Sequence, residues 1–107
     1  MYNKLVRDKI PDIIKNNGEK PVIQILSDIE YKKELEKKLF EEYQEVIESK
    51  EKDRLEELAD MLEVISALAK LEHSSIEEIL EIAEAKRKKR GAFDKKIFLE
   101  DVKGRED

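Results

Sequence analysis

Apolar side chains recur at every third or fourth position through much of the chain, which is the period of an amphipathic α-helix. Three of these stretches begin with a Ser or Asp that is followed three positions later by a Glu, the pattern of a helix capping box. They begin at Ser27, Asp53 and Ser75, and Gly91 is a natural residue to end the last of them. The predicted helices cover residues 27–49, 53–72 and 75–90.

The two ends of the chain carry weaker patterns. Residues 4–16 predict a helix that is broken near Pro11, and residues 18–26 predict a turn with a short extended piece. Beyond Gly91 the alternation is irregular, and residues 103–107 are expected to fray. We therefore expect one all-α domain over residues 1–107, formed by an N-terminal helix and extended turn (1–26), three core helices (27–90) and a C-terminal tail (91–107).

The first core helix places a carboxylate among apolar residues. At about 100° per residue, Glu42 projects within the apolar arc, Glu45 lies at its margin and Glu41 points outside it. A buried carboxylate has to be paired, protonated or bound to a metal, because burying it bare is very costly. The arc consists of Tyr31, Leu35, Leu39, Phe40, Tyr43, Val46 and Ile47.

The second core helix is apolar nearly all round, which predicts burial between its own bundle and a partner subunit. Glu57 and Asp60 lie inside one of its apolar arcs, at the same i, i+3 spacing as Glu42 and Glu45. Two facing helices would then present four carboxylates to one point. Hard divalent cations such as Mg²⁺ take oxygen ligands of this kind, so we expect a metal site here.

Composition narrows the possible functions. Charged residues make up 46% of the 107 positions and hydrophobic ones 39%, a thin apolar supply that favours association of subunits. The net charge of -5 argues against binding to a nucleic-acid polymer. The chain has no Cys, which excludes disulfides, zinc-thiolate sites and thiol nucleophiles, and its single His73 is expected in a loop or at a helix end.

No apolar run approaches the roughly 20 residues that a membrane-spanning helix needs. The opening Met1-Tyr2-Asn3-Lys4 leads into charged residues and does not resemble a signal sequence. We therefore expect a soluble, cytoplasmic protein without a membrane partner.

Basic residues flank the acidic centre, an arrangement that suits a metal-phosphate ligand. Lys86 and Arg90 lie four positions apart and can both reach inward from the third core helix, where they would clamp phosphates. Their favourable position at a helix C-terminus explains them equally well. The spacing of Arg7 and Lys9 alone says little about their role.

Two acidic motifs resemble those of a known family. They are Glu41-Glu42-Tyr43-Gln44-Glu45 and, eleven residues later, Glu57-Leu58-Ala59-Asp60. The pair is similar to the E-E-x-x-E and E-x-x-D motifs of the all-α nucleoside triphosphate pyrophosphatases, which include MazG-like proteins, dimeric dUTPases and phosphoribosyl-ATP pyrophosphohydrolases. The interval of eleven residues is at the short end for this family.

The ends of the chain look like a smaller branch of that family, a phosphoribosyl-ATP pyrophosphohydrolase-like one. The segments that carry this likeness are Tyr2-Asn3-Lys4-Leu5-Val6-Arg7-Asp8-Lys9-Ile10-Pro11 and Lys89-Arg90-Gly91-Ala92-Phe93. The resemblance implies a MazG-like helical bundle. It also gives Arg7 and Lys9 more weight as phosphate contacts than their spacing does.

The resemblance further implies Mg²⁺-dependent hydrolysis between the α and β phosphates of a nucleotide, with Mn²⁺ as a substitute metal. Its metal ligands correspond to Glu42, Glu45, Glu57 and Asp60, and Glu41 or Glu45 would orient or deprotonate the attacking water. The products are a nucleoside monophosphate and pyrophosphate.

Two alternatives stay open at this point. One is phosphoribosyl-ATP hydrolysis in histidine synthesis in place of a house-cleaning activity on non-standard nucleotides. The other is a non-enzymatic helical interaction module whose acidic residues are structural. Neither the preferred base and sugar nor the choice between a homodimer and a homotetramer follows from the residues.

Overall fold

The computed structural model describes residues 3–104, and within that range it contains four helices and no strand. The helices are α1 (Ile10–Asn16), α2 (Asp28–Glu48), α3 (Glu51–Leu71) and α4 (Ile76–Arg90). The expected all-α class is confirmed for these residues. None of the four helices is long and apolar enough to cross a membrane.

The start of α2 is the capping box that the sequence predicts. The Ser27 hydroxyl accepts a hydrogen bond from the Glu30 amide at 3.3 Å, and the Ser27 amide donates to the Glu30 carboxylate at 3.3 Å. Two amides that the helix itself cannot pair are thereby satisfied.

The end of α4 also agrees with the sequence. The helix begins directly after Ser75 and ends at Arg90. Gly91 follows with a φ of 87°, and its amide donates to the Arg87 carbonyl at 2.7 Å. A glycine adopts this left-handed conformation without the strain that a side chain would bring.

The start of α3 differs from the prediction. The helix begins at Glu51, two residues before the expected cap Asp53, which lies in its first turn. Lys50 occupies the N-cap position and makes no side-chain capping bond. The early start leaves only Ser49 and Lys50 between α2 and α3, and so short a connection makes the two helices antiparallel neighbours.

The N-terminal prediction is wrong in its first half. Residues 4–9 are not helical, and α1 begins at Ile10 with Pro11 in its first turn. Proline has no amide proton to donate, so it starts a helix well and does not break this one. The expected turn occurs at Gly18, which has a φ of 84°, whereas residues 19–26 form no strand.

The structure divides into two compact units. The first ends at Ile76 and the second begins at Glu77, and the single-domain interpretation stays a prediction. Lys103 and Gly104 have no regular structure. The rest of the segment expected to fray, residues 105–107, and Tyr2 of the opening motif lie outside the described residues.

The core of the first unit lies between α2 and α3. Its buried apolar side chains are Leu35, Val46, Val64 and Ala69. Many large apolar side chains of the same two helices stay exposed, so this hairpin buries only part of its apolar surface. They include Phe40, Tyr43 and Ile47 on α2 and Leu55, Leu58 and Leu62 on α3.

We expect Ser27→Ala to destabilise the fold by about 1 kcal/mol, the usual cost of losing an N-cap side chain. Asp53→Ala should cost less, because Asp53 lies in the first turn of α3 and does not cap it. Urea unfolding at one protein concentration measures both changes. Equal losses in the two variants would contradict the assignment of the caps.

Candidate metal centre

Three carboxylates from two helices meet on the inner side of the α2–α3 hairpin. They belong to Glu42 of α2 and to Glu57 and Asp60 of α3, and one oxygen from each lies within 4.8 Å of the others. Glu57 and Asp60 are three positions apart and therefore project from the same side of α3. That side also carries Val64, which packs in the core.

The carboxylate of Glu42 is the most enclosed of the three. Glu42 is 9% exposed and is the one buried charged residue in the described part of the chain, whereas Glu57 and Asp60 are half-buried. A buried carboxylate needs a compensating charge. Lys38 supplies part of it, with its Nζ at 3.7 Å from Glu42 Oε1.

Lys38 was not among the site residues predicted from the sequence. Its ammonium group also lies 3.9 Å from Glu41 Oε2, so it is shared between two adjacent glutamates one turn further along α2. The i, i+3 and i, i+4 spacings carry that signal in the sequence. Lys38 lies at the edge of the cluster and is half-buried.

A second cation reaches the cluster from the N-terminal segment. Arg7 Nη2 donates to Asp60 Oδ1 at 2.6 Å, and the two residues are 53 positions apart in the chain. The side chains are 58% and 44% exposed. Arg7, which the sequence analysis expects to contact phosphate, is thus ion-paired with Asp60, an expected metal ligand.

The cluster carries unbalanced negative charge. Partial burial raises the pKa of the Glu57 carboxyl above its ordinary value, and repulsion from Glu45, Asp60, Glu42 and Glu56 raises it further. Such a site attracts cations.

The donor set fits a hard divalent cation. Oxygens bound to one Mg²⁺ at about 2.1 Å in an octahedron are separated by about 3.0 to 4.2 Å. The three carboxylates approach this spacing closely enough for small side-chain rotations to complete it. The geometry of the three carboxylates is therefore compatible with a bound divalent cation.

The other predicted site residues lie outside this group of three carboxylates. Glu45 is exposed and lies outside the group of three, and Glu41 is half-buried beside Lys38. Lys9 is exposed in the N-terminal segment. Lys86 and Arg90 are exposed on α4, in the second unit.

The lone histidine is in the turn that follows α3. His73 is exposed and has a φ of 58°, as a turn residue can. This agrees with the expected loop or helix-end position.

Comparison with known proteins finds a relative that matches part of the chain. An uncharacterized protein of Mycolicibacterium smegmatis is 51% identical over 43 residues, which are 40% of this chain and 44% of that protein. The chain therefore matches less than half the length of this relative. No family model and no solved structure matches the chain.

The raised pKa of Glu57 leads to a prediction about stability. A carboxyl with a raised pKa binds its proton more tightly in the folded state, so its contribution favours folding at low pH and is lost as the pH rises through that pKa. Above that pKa and without metal, the charged Glu57 carboxylate is repelled by its neighbours. We expect Glu57→Gln to be more stable than the wild type under these conditions.

Thermal unfolding with a chelator at pH 7 and at about pH 4 measures this effect. The advantage of Glu57→Gln should shrink at the lower pH, where the wild-type carboxyl gains its proton. Glu63→Gln, an exposed change on the same helix, is the matched control. A loss of stability in Glu57→Gln at pH 7 would contradict the repulsion described for the cluster.

Proposed function

We propose that this protein is a Mg²⁺-dependent nucleotide pyrophosphohydrolase. It cleaves the bond between the α and β phosphates of a nucleoside triphosphate or related nucleotide and releases the monophosphate and pyrophosphate. The main support is the approach of Glu42, Glu57 and Asp60 to within 4.8 Å. These residues belong to the two acidic motifs that resemble those of the all-α nucleoside triphosphate pyrophosphatases.

Glu42, Glu57 and Asp60 would hold the metal, and the resemblance adds Glu45 as a fourth ligand. When bound, Mg²⁺ or Mn²⁺ supplies charge neutralisation for phosphate oxygens and a more acidic water. A nucleotide could reach the cluster, because the side chains of Glu57 and Asp60 are only half-buried.

Glu45 is better placed than Glu41 to orient or deprotonate the attacking water. Its carboxylate acts electrostatically on Glu57, while the Glu41 carboxylate faces the Lys38 ammonium group at 3.9 Å. A carboxylate held in an ion pair is less free to turn toward a water molecule. We therefore assign the general-base role to Glu45.

Four cations are proposed to contact the phosphates. Arg7 has the strongest support, because it already lies at Asp60. Lys9 belongs to the same exposed segment. Lys86 and Arg90 rest on their spacing in α4 and on the resemblance.

We also propose that the fold is a MazG-like bundle completed by self-association as a homodimer or homotetramer. The support is the apolar surface that the α2–α3 hairpin leaves uncovered: Phe40 is 60% exposed, Ile47 58% and Leu55 68%. Exposed apolar surface on this scale typically marks an interface. A nucleotide substrate is consistent with the cytoplasmic location expected from the sequence.

We expect Glu57→Gln and Asp60→Asn each to lower Mg²⁺-dependent turnover at least about a hundredfold, the scale on which electrostatic stabilisers act. Release of pyrophosphate from a panel of triphosphates and phosphoribosyl-ATP measures the activity and identifies the substrate. Glu63→Gln should keep the wild-type turnover. Near wild-type turnover of either variant at limiting Mg²⁺ would show that the carboxylates are wrongly assigned.

The same experiment separates the enzyme from a helical interaction module. A module with structural acidic residues would release no pyrophosphate and would gain no specific thermal stability from Mg²⁺. An enzyme of the proposed kind should show both effects, because a ligand that binds only the folded state stabilises it.

We expect sedimentation at micromolar concentration to show a dimer or tetramer. Leu58→Lys with Leu62→Lys should shift the protein to smaller species, because lysines on the exposed apolar side of α3 disfavour burial there. Glu63→Lys, at an exposed charged residue of the same helix, is the control. A well-folded monomer of the wild type would contradict self-association.

A further inference from the structure

The segment that leads into α2 has the composition of a β-strand and an uncovered apolar surface. Four of its residues 22–26 are apolar, and three of these are the β-branched Val22, Ile23 and Ile25. Val22 is 93% exposed and Ile25 is 89% exposed. The backbone of this segment makes no hydrogen bond to another described residue. It therefore presents amides, carbonyls and apolar side chains together, as the edge of a sheet does.

A second segment of this kind follows α4. Residues 97–102 have no regular structure, and they begin with Ile97, Phe98 and Leu99, which are 80%, 87% and 73% exposed. Isoleucine and phenylalanine are among the residues favoured in strands. The backbone of residues 97–100 makes no hydrogen bond to another residue that the structure describes. Each segment thus has what the other would need in a strand partner.

We propose that residues 22–26 of one copy of the chain and residues 97–101 of a second copy pair as antiparallel β-strands. Pairing satisfies the amides and carbonyls of both segments and brings their apolar side chains together. In a two-fold homodimer each copy gives one segment and receives the other, so the contact forms twice. This inference rests on the self-association proposed above, to which it adds a contact outside the α2–α3 hairpin.

The charges around the two segments favour the antiparallel direction. Two acidic residues follow the first segment, two lysines precede the second, and two acidic residues end the second. They are Asp28 and Glu30, Lys95 and Lys96, and Glu100 and Asp101. Antiparallel pairing brings the first acidic pair toward the lysines. Parallel pairing would bring it toward the other acidic pair, and like charges on neighbouring strands are destabilising.

Introduced thiols test the contact directly, because the chain has no cysteine. Ile23→Cys is refolded together with one of a series of size-tagged variants, from Lys95→Cys to Asp101→Cys, and the mixture is oxidised with glutathione disulfide. The best heterodimer should form at least about tenfold faster than one made with Glu63→Cys, because pairing raises the effective thiol concentration from micromolar to about millimolar. Glu63 is the matched control, since it is exposed on α3.

The pattern along the series distinguishes a strand from a random collision. Successive side chains of a strand point to opposite faces, so the cross-linking rate should alternate from one position to the next. When Ile25→Cys replaces Ile23→Cys, the best position should move two residues toward the N-terminus of the second segment. A shift in the other direction would show parallel pairing, and a rate that does not alternate would overturn the strand.

The covalent products show which partner is used. With both cysteines of the best pair in one chain, the expected product is a covalent dimer, and a cross-linked monomer would overturn exchange between copies. Faster homodimer formation by Ile23→Cys alone would mean that residues 22–26 pair with themselves and would overturn the second segment as their partner.

Sedimentation separates this inference from the self-association it rests on. If the protein sediments as a dimer or tetramer and no cysteine pair exceeds the Glu63→Cys control, the strand pairing is overturned and self-association stands. If the wild type is a monomer at micromolar concentration, both are overturned.

Discussion

The packing of α2 against α3 determines both where the core lies and where the charges meet. Only two residues connect these helices, so they run antiparallel, and the side of α2 that carries Leu35 and Val46 faces the side of α3 that carries Val64. Glu42 shares that side of α2, and Glu57 and Asp60 share that side of α3. The interface that buries the apolar residues therefore brings the carboxylates together as well.

The clustered carboxylates destabilise the folded state. Carboxylates that repel one another replace apolar contacts at one end of a core that has few buried side chains. Lys38 and Arg7 offset part of the repulsion through their ion pairs with Glu42 and Asp60. A site that keeps uncompensated charge in the absence of ligand is common where function requires binding of an opposite charge.

Local signals predicted local structure well. The capping box at Ser27 and the C-terminal Gly91 depend on residues within four positions, and both were predicted from the sequence. The start of α3 was not, because Ser49 and Lys50 are extended and Glu51 has a φ of 53°, a tight reversal that no residue in the pattern signals.

Contacts between distant residues were predictable only where helical periodicity constrains them. The approach of Glu42 to Glu57 and Asp60 follows from apolar arcs that must face each other. The contact between Arg7 and Asp60 depends on the path of an irregular segment. Such a segment has no repeating pattern from which its contacts could be predicted. The same limit applies to Lys86 and Arg90, whose spacing in α4 says nothing about what that helix faces.

The two apolar sides of α3 differ in burial, since Val64 packs in the core and the leucines on the other side are exposed. At about 100° per residue, Leu55, Leu58 and Leu62 lie nearly opposite Glu57 and Asp60, and the structure leaves those three leucines exposed. Self-association through the leucine side would cover apolar surface without covering the carboxylates. The nearly continuous apolar circumference of α3 is thus compatible with a core on one side, a subunit contact on the other, and a cluster that stays open to a cation and its ligand.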